Sequence, residues 1–495
     1  MKKYILSIDQ STTATKALLY TSDGVLVGQK NVDHKQYFPN PGWVEHDAEE
    51  IYRNTKLAVR KVIEKSGVSG NEIAALGITN QRETTVVWDR KTGKPVFNAI
   101  VWQDRRTAES CLKLKEAGYE KIITEKTGLL IDAYFSATKI KWILDNVDGV
   151  KERAENGELA FGTTDTWVIW NLTKGQSHIT DVSNASRTLL FNIHTLKWDE
   201  ELLQILGIPA SLLPIVVPSS NINGEVTDIE QLLGVPIAGI AGDQQAALFG
   251  QMCISDGMAK CTYGTGCFLV MNTGSKAIRS KNKLLTTIGW QIGDQVTYAL
   301  EGSVFMGGAI IQWLRDEMEF FKDAVESETL ARQVEDSGGV VFVPSLTGLG
   351  APHWDPYARG SVFGITRGTS KAHLTRAALE SICFQVNDVI ETMKMDSGEA
   401  ISELRVDGGA AANGLMVQFQ SDISEIELVR STNMETTALG VAYLAGLAVG
   451  LWTIEELQKK WKVEKVFKPT INKEETEKLK FRWNKAVERT KNWID

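Results

Sequence analysis

The fold turns on the stretch KYILSIDQSTTATKALLYTSDGVLVGQK, residues 3–30. An apolar run ends at Asp9, a turn rich in hydroxyl residues follows, and a second apolar run leads through Ser22-Asp23-Gly24 into a third. Asp-Gly between two apolar runs is a hairpin signal, because the tight turn needs a residue that accepts a positive φ. The segment therefore reads as three strands joined by short turns. GMAKCTYGTGCFLVMNTGS, residues 257–275, runs through a similar order: apolar strand, Gly/Thr turn, apolar strand, further turn. The likeness is one of element order rather than of residue identity.

Outside the first hairpin, a helix is expected from Asp47 as N-cap, with Glu50 completing a capping box. Its apolar stripe is Ile51, Ala58, Val59, Val62 and Ile63, and Gly67 ends it. EIAALGIT and TTVVW then read as strands on either side of Arg82 and Glu83, two full charges where two strands meet. In the second half, helical patterns fall at about 304–318 and 371–395, with VVFVPS and ELRVDGG as strands around them. Further helices follow Ala412 and occupy roughly 436–449. No linker rich in Pro, Ser or Gly separates the halves; the boundary is expected near 250, giving domains 1–250 and 251–495. From 455 on, Lys and Glu alternate around Trp461, Leu479, Trp483 and Trp493, the pattern of a solvated helical face packed on the body.

The bulk properties agree with a two-domain enzyme. A chain of 495 residues exceeds what one hydrophobic core supports. Apolar residues at 43% and charged residues at 23% are the balance of a soluble globular protein. A net charge of −8 argues against a general nucleic-acid or anionic-membrane surface. Five cysteines without a CxxC pair read as ordinary buried thiols. No apolar run is long enough to cross a membrane, and MKKYILSIDQ is too soon interrupted by Asp9 to serve as a secretory signal. The cytoplasm is the expected compartment.

The turns carry the candidate chemistry. DQSTTATK, residues 9–16, sets a carboxylate directly after a strand, then hydroxyls, then Lys16. Hydroxyls and turn amides can surround a phosphate, while the carboxylate can hold a metal directly or through water. TYGTGCF, residues 262–268, offers a second such turn. RVDGGAAANG, residues 405–414, sets two glycines between a strand and a helix, where backbone approaches closely and the helix N-terminus favours an anion. Neither a dinucleotide GxGxxG nor a P-loop occurs, so a nucleotide site is of another kind. Asp243, in GIAGDQQAALFG, has two readings: N-cap of the following helix through the Gln245 or Ala246 amide, or a carboxylate at a strand end able to take a proton from a hydroxyl. The six histidines lack metal-ligand spacing, and there is no GxSxG elbow.

Taken together, SIDQSTTATK, GITNQRETTVVWD, NAIVWQDRR, FGTTDTWVIW, AGDQQAALFGQ, TYGTGCF, ALEGSVFMGGAIIQWLRDEM, GLGAPHWDPYARG and LRVDGGAAAN resemble the FGGY carbohydrate kinases over almost the whole chain. Within that family they resemble the branch that phosphorylates glycerol. The resemblance implies an α/β fold of two ribonuclease H-like domains, as in the actin-like ATPase superfamily, with a deep cleft between them. It implies ATP as co-substrate, Mg²⁺ as cofactor, glycerol as acceptor, and a homo-dimer or homo-tetramer without nucleic-acid or membrane partners. Arg82, Glu83, Tyr134, Asp243 and Gln244 would contact glycerol hydroxyls, with Trp102 and Phe268 against its carbons. A donor fork beside a fixed acceptor suits hydroxyls, which both donate and accept. Asp243 would be the general base, and Asp9 would organise Mg²⁺ with Asp243 beside it. Ser11, Thr12, Thr13, Ala14 and Lys16 would form the first phosphate turn and Thr265 the second. Gly308, Gln312, Gly409 and Asn413 would hold the nucleotide.

Three departures stand out. Ser11 replaces a common glycine, which costs stability only if that turn needs φ > 0. Lys16 replaces a common arginine, keeping the charge but losing the planar fork. The segment NGEVTDIEQLLGVP is acidic where some relatives bind fructose 1,6-bisphosphate, and no histidine lies between His194 and His353. Neither that sugar phosphate nor histidine phosphorylation is expected to control the chain. The competing readings are a kinase for a pentulose or four-carbon polyol, and a non-catalytic actin-like nucleotide switch.

Overall fold

The computed structural model describes residues 3–494. The first sheet contains β1 (Tyr4–Gln10), β2 (Ala14–Thr21), β3 (Leu26–Asp33), β4 (Ile73–Asn80) and β5 (Ile237–Gly242) in the order β5-β4-β1-β2-β3. The second contains β6 (Met258–Tyr263), β7 (Cys267–Gly274), β8 (Leu285–Ile292), β9 (Gln295–Val304), β10 (Glu403–Asp407), β11 (Leu428–Ser431) and β12 (Val463–Phe467), in the order β8-β9-β7-β6-β10-β11-β12. Setting aside the edge strands β8 and β12, the two orders are the same. In each, an antiparallel three-strand meander is followed by two strands added parallel to its first. The similarity of element order between the halves is therefore a duplication of topology, the ribonuclease H-like arrangement.

Each sheet is buried by helices. The helix α1 (Ala48–Ser66) covers one face of the first sheet, with Val59 and Val62 packed among Leu6, Ile8, Leu19 and Ile78. Asp47 is its N-cap, accepting from the Glu49 amide at 2.8 Å, and Gly67 ends it at φ 69°. The expected capping box is not formed: the Glu50 carboxylate accepts from the Lys35 amide at 3.2 Å, because the chain leaving β3 passes over the start of the helix and competes for it. In the second half, the long helix Lys371–Ser397 buries Ile382, Val386 and Val389 against the second sheet's core. The tail packs as expected along one face of the helix Lys473–Thr490. Trp483 is buried there and stacks on Phe384 at 5.2 Å, while Trp493 is exposed. All five cysteines are free and buried.

The halves meet through two helices joined by small residues. The helix α2 (Asp243–Gly250) leaves β5, and α3 (Thr436–Ala448) comes from the second half, yet lies on the other face of the first sheet. A Cβ on Gly440 would stand 1.8 Å from the Ala246 carbonyl, and one on Gly250 would stand 2.0 Å from the Thr436 carbonyl. Only glycine lets the two backbones approach this closely. Gly77 and Gly239 do the same for the strands beneath, each facing the Val441 carbonyl. Among the described residues, no helix is long and apolar enough to cross a membrane.

Candidate active site

Parallel pairing places Gln10, Asn80 and Gly242 in register at the carboxyl ends of β1, β4 and β5. The chain breaks out of β4 there, and the next strand, Val86–Asp89, belongs to a different sheet. Glu83 turns the corner at φ 62°, a left-handed conformation uncommon for a side-chain-bearing residue. That corner answers why two charges sit between two strands: both are buried and both are partnered.

Arg82 Nε lies 3.1 Å from the Asp243 carboxylate. Its Nη2 donates to Tyr134 Oη at 3.3 Å, and its Nη1 to Gln245 Oε1 at 3.4 Å. Both terminal nitrogens also donate to Glu301, from the second domain. Glu83 Oε1 accepts from Arg187 Nε at 2.6 Å, whereas its Oε2 has no hydrogen-bond partner among the described residues. Arg82, Glu83, Tyr134 and Asp243 are thus brought together at one point. Trp102 joins them edge-on to Tyr134 at 5.5 Å, with its Nε1 donating to Thr12 Oγ1 at 2.9 Å. Arg105 holds Asp132, which accepts from the Tyr134 amide at 2.8 Å, and so ties the Trp102 loop to the Tyr134 loop.

The second sheet closes this pocket. In register, Lys260, Val270 and Glu301 form one row across β6, β7 and β9, and Thr262, Phe268 and Ser303 form the next. Side chains two apart on a strand share a face, so Phe268 is presented with Lys260 and Glu301. Lys260 donates to Gln244 Oε1, and Glu301 accepts from Arg82 and Arg187. Trp102, Tyr134, Asp243 and Phe268 are half-buried, unlike the fully covered charges behind them.

Asp243 opens α2 rather than capping it. The N-cap position is Gly242, and the Asp243 carboxylate accepts from the adjacent Gln244 amide at 2.7 Å, not from Gln245 or Ala246. Burial raises its affinity for a proton, partly countered by Arg82 and Lys260, the direction a general base needs. Burial likewise pushes Asp9 up to about 6, against the pull of Lys16 and the Ser11 hydroxyl, while the charges of Asp243 and Glu435 add to the rise. The two carboxylates lie at the carboxyl ends of β1 and β5, on either side of β4, and the charge of Asp243 disfavours ionisation of Asp9.

The first turn closes by the Ser11 amide donating to the Ala14 carbonyl at 2.9 Å. Ser11 is not among the residues with positive φ, so it fits where glycine is common; its hydroxyl donates to Asp9 Oδ1 at 2.9 Å. Thr12 is half-buried and Thr13 exposed. Lys16 reaches across to Glu435 of the second half at 3.1 Å. In the second turn, the exposed Thr265 accepts from the Gly307 and Ala309 amides through its carbonyl. A Cβ on Gly308 would lie 2.9 Å from the Gly264 carbonyl and 3.9 Å from Ala410 Cβ, so this turn, the Gly307-Gly308 bend and the Gly409 segment converge. Gln312 is exposed one turn into the helix Ala309–Asp316. Gly409 has open space where a Cβ would be, and Asn413 N-caps the next helix through the Met416 amide at 3.0 Å.

Three residues of the pocket escaped the sequence reading: Arg187, Lys260 and Glu301. Each is one charge in an otherwise apolar or alternating segment, which reads as a solvated position until the two sheets are placed face to face. The only signal was that TYALEGSV puts a carboxylate within an apolar strand.

Two family models match this chain: the N-terminal domain of the FGGY family of carbohydrate kinases over residues 4–250, and its C-terminal domain over 259–449. A glycerol kinase of Symbiobacterium thermophilum is 59% identical, with 99% of both chains covered. Another, of Parabacteroides distasonis, is 57% identical over 100% of this chain and 99% of that protein. A crystal structure of Plasmodium falciparum glycerol kinase with ADP superposes with a TM-score of 0.93 at 40% identity, over 98% of each chain. A xylulose kinase of Lactobacillus acidophilus shares the fold, with a TM-score of 0.88 at 23% identity over 98% of this chain and 97% of that one.

Proposed function

The chain belongs to the FGGY family of carbohydrate kinases, and on that premise we propose that it phosphorylates glycerol with ATP, giving sn-glycerol 3-phosphate. The observation that carries the reading is the meeting of Arg82, Glu83 and Tyr134 at a base-type carboxylate, Asp243, within one pocket between the two sheets. The first domain, residues 1–250, binds the acceptor and supplies the first phosphate turn; the second, 251–495, binds the nucleotide.

Arg82 offers its Nε–H edge as a donor and Glu83 Oε2 an acceptor, while Trp102, Tyr134 and Phe268 enclose the carbon chain. A polyol lacking a gripped hydroxyl leaves a buried charge short of a partner, which is how such a pocket discriminates. Asp243 takes the proton from the terminal hydroxyl as that oxygen attacks the γ-phosphorus in line. Arg82 Nε and the Gln244 amide fix the carboxylate for this step. The protein's share of catalysis is positioning and charge compensation. Gln244 adds a further polar contact, oriented by Lys260.

Asp9 and Asp243 also suit Mg²⁺. No group of three or more metal-type side chains forms among the described residues. Mg²⁺ needs only one or two protein carboxylates, because water and substrate phosphates fill its other positions. Asp9 would hold it, directly or through water, with Asp243 alongside, and the ion would supply positive charge to offset that of the phosphates. The nucleotide lies along Ser11, Thr12, Thr13, Ala14 and Lys16 on one side, and along Thr265, Gly308, Gln312, Gly409 and Asn413 on the other. Reliance on ATP and a small polyol fits a cytoplasmic enzyme, and a homo-dimer or homo-tetramer is the expected assembly. Incubation with Mg-ATP and glycerol, with the product read by a stereospecific glycerol 3-phosphate dehydrogenase, tests the reaction: formation of the sn-3 isomer supports it, and its absence refutes it.

A further inference from the structure

Four charges stand behind the acceptor pocket in a closed ring. Glu301 accepts from both terminal nitrogens of Arg82 and, at 3.0 Å, from Arg187 Nη2. Arg187 Nε donates to Glu83 Oε1 at 2.6 Å, and that oxygen returns to within 4.0 Å of Arg82 Nε. The side chains of Arg187 and Glu301 are 0% exposed, and those of Arg82 and Glu83 are 2% exposed. Three members come from the first domain. Glu301 alone comes from the second, on β9.

A buried ring of ions is a poor way to hold two domains together, because apolar groups of the same volume do so without the cost of removing charge from water. What the ring does, and an apolar cluster cannot, is fix the rotamers of Arg82 and Glu83. The Nη1 and Nη2 of Arg82 are taken up by Glu301, Gln245 and Tyr134, which turns its Nε edge toward Asp243. One oxygen of Glu83 is taken up by Arg187, which leaves the other for a hydroxyl. The two guanidinium groups overcome the effect of burial on Glu301 and hold its carboxyl down at about 2, so Glu301 is ionised at neutral pH; at Glu83 burial outweighs the same two groups and shifts the carboxyl upward.

We propose that Arg187 and Glu301 are positioning residues of the acceptor site, and that Glu301 makes the grip on the acceptor depend on the second domain being docked. The proposal rests on the reading that Arg82 and Glu83 hold the acceptor. Its consequence is linkage. Acceptor binding and closure of the second sheet favour each other, because the same carboxylate serves both.

The test uses the full chain and the acceptor that the parent protein prefers among glycerol and larger polyols, with ADP release as the readout and thermal melting as the fold control. Glu301→Gln keeps the shape of the side chain and removes its charge; Arg187→Lys keeps the charge and removes the fork. Glu301→Gln is expected to raise the acceptor KM about tenfold or more, while the KM for ATP stays within about twofold. Arg187→Lys is expected to raise the acceptor KM by at least about threefold. If Glu301→Gln does not fold, Glu301→Asp, which retains the charge on a shorter stem, takes its place and is expected to shift the acceptor KM in the same direction. Folded variants that melt lower but keep the parent's acceptor KM overturn the positioning role and leave the site reading intact. A parent without turnover on any polyol overturns both.

Discussion

The Nε of Arg82 lies 3.1 Å from the carboxylate of Asp243, so the residue that would grip the acceptor also orients the residue that would deprotonate it. The two form a close ion pair, with the Arg82 side chain 2% exposed. It opposes the effect of burial on Asp243 without cancelling it. Binding and proton abstraction therefore share one piece of geometry.

Replacing Asp243 with Asn removes the base and keeps the size of the side chain. Turnover should fall by ~10²- to 10⁴-fold. Affinity for the nucleotide without Mg²⁺, measured by calorimetry, should stay within about threefold, because the residues that line the nucleotide do not include Asp243. Retained turnover would remove Asp243 from the mechanism and favour another base.

Glu83→Gln keeps an acceptor oxygen but removes the charge opposite Arg187. A charge-assisted bond is worth about 1.5–3 kcal/mol, so kcat/KM for the acceptor should drop ~10- to 150-fold with little change in the KM for ATP. A uniform effect on both substrates would point instead to general loosening of the cleft.

The glycine contacts between α2 and α3 predict a packing cost far from the chemistry. Gly440→Ala gains about 1 kcal/mol of helix propensity. It also drives a methyl to 1.8 Å from the Ala246 carbonyl, which is backbone and cannot swing away. Overpacking typically costs about 1–3 kcal/mol, and the contact here is severe, so the urea midpoint should fall. An unchanged or higher midpoint would mean the helices can separate cheaply.

Asp165 supplies a pH test outside the reacting groups. It is buried beneath the Arg82 corner and accepts from Thr163 and, at 2.7 Å, from Thr180. Burial pushes its folded-state pKa up to about 6 from the ordinary aspartate value of 3.8. Between those values the folded state binds more protons than the unfolded one, so this residue's contribution to stability falls as pH rises and levels off above about 6. Asp165→Asn lacks that slope. The stability of the parent relative to the variant should decline from pH 4 to 6 and then stay flat; a difference independent of pH would contradict the shift.

Much of this was legible in the sequence, for reasons that differ by residue. Asp47 and Gly67 announced the ends of α1 because caps are local chemistry. Arg82 and Glu83 stood out because two charges at a strand junction have no apolar explanation. The two hairpins gave the duplicated topology, since turn residues and apolar alternation act over a few positions. Glu50 misled because a competing backbone donor, Lys35, arrives only when β3 folds over the helix. Asp243 was ambiguous because an N-cap and the first residue of a helix differ by one position. Arg187, Lys260 and Glu301 were invisible because their partners are distant in sequence or lie in the other domain. Glycerol as acceptor came from whole-chain resemblance; the pocket supplies the physical reason for it.

The most direct measurement is ADP release with Mg-ATP against glycerol, erythritol, xylulose, ribulose and no acceptor. Turnover with glycerol far above all the others is the predicted result, and it would place the three-carbon polyol in the pocket formed by Arg82, Glu83 and Asp243. Preference for a larger polyol or a pentulose would contradict the acceptor assignment while leaving the kinase fold in place. ADP release that ignores every acceptor would contradict the account at its centre.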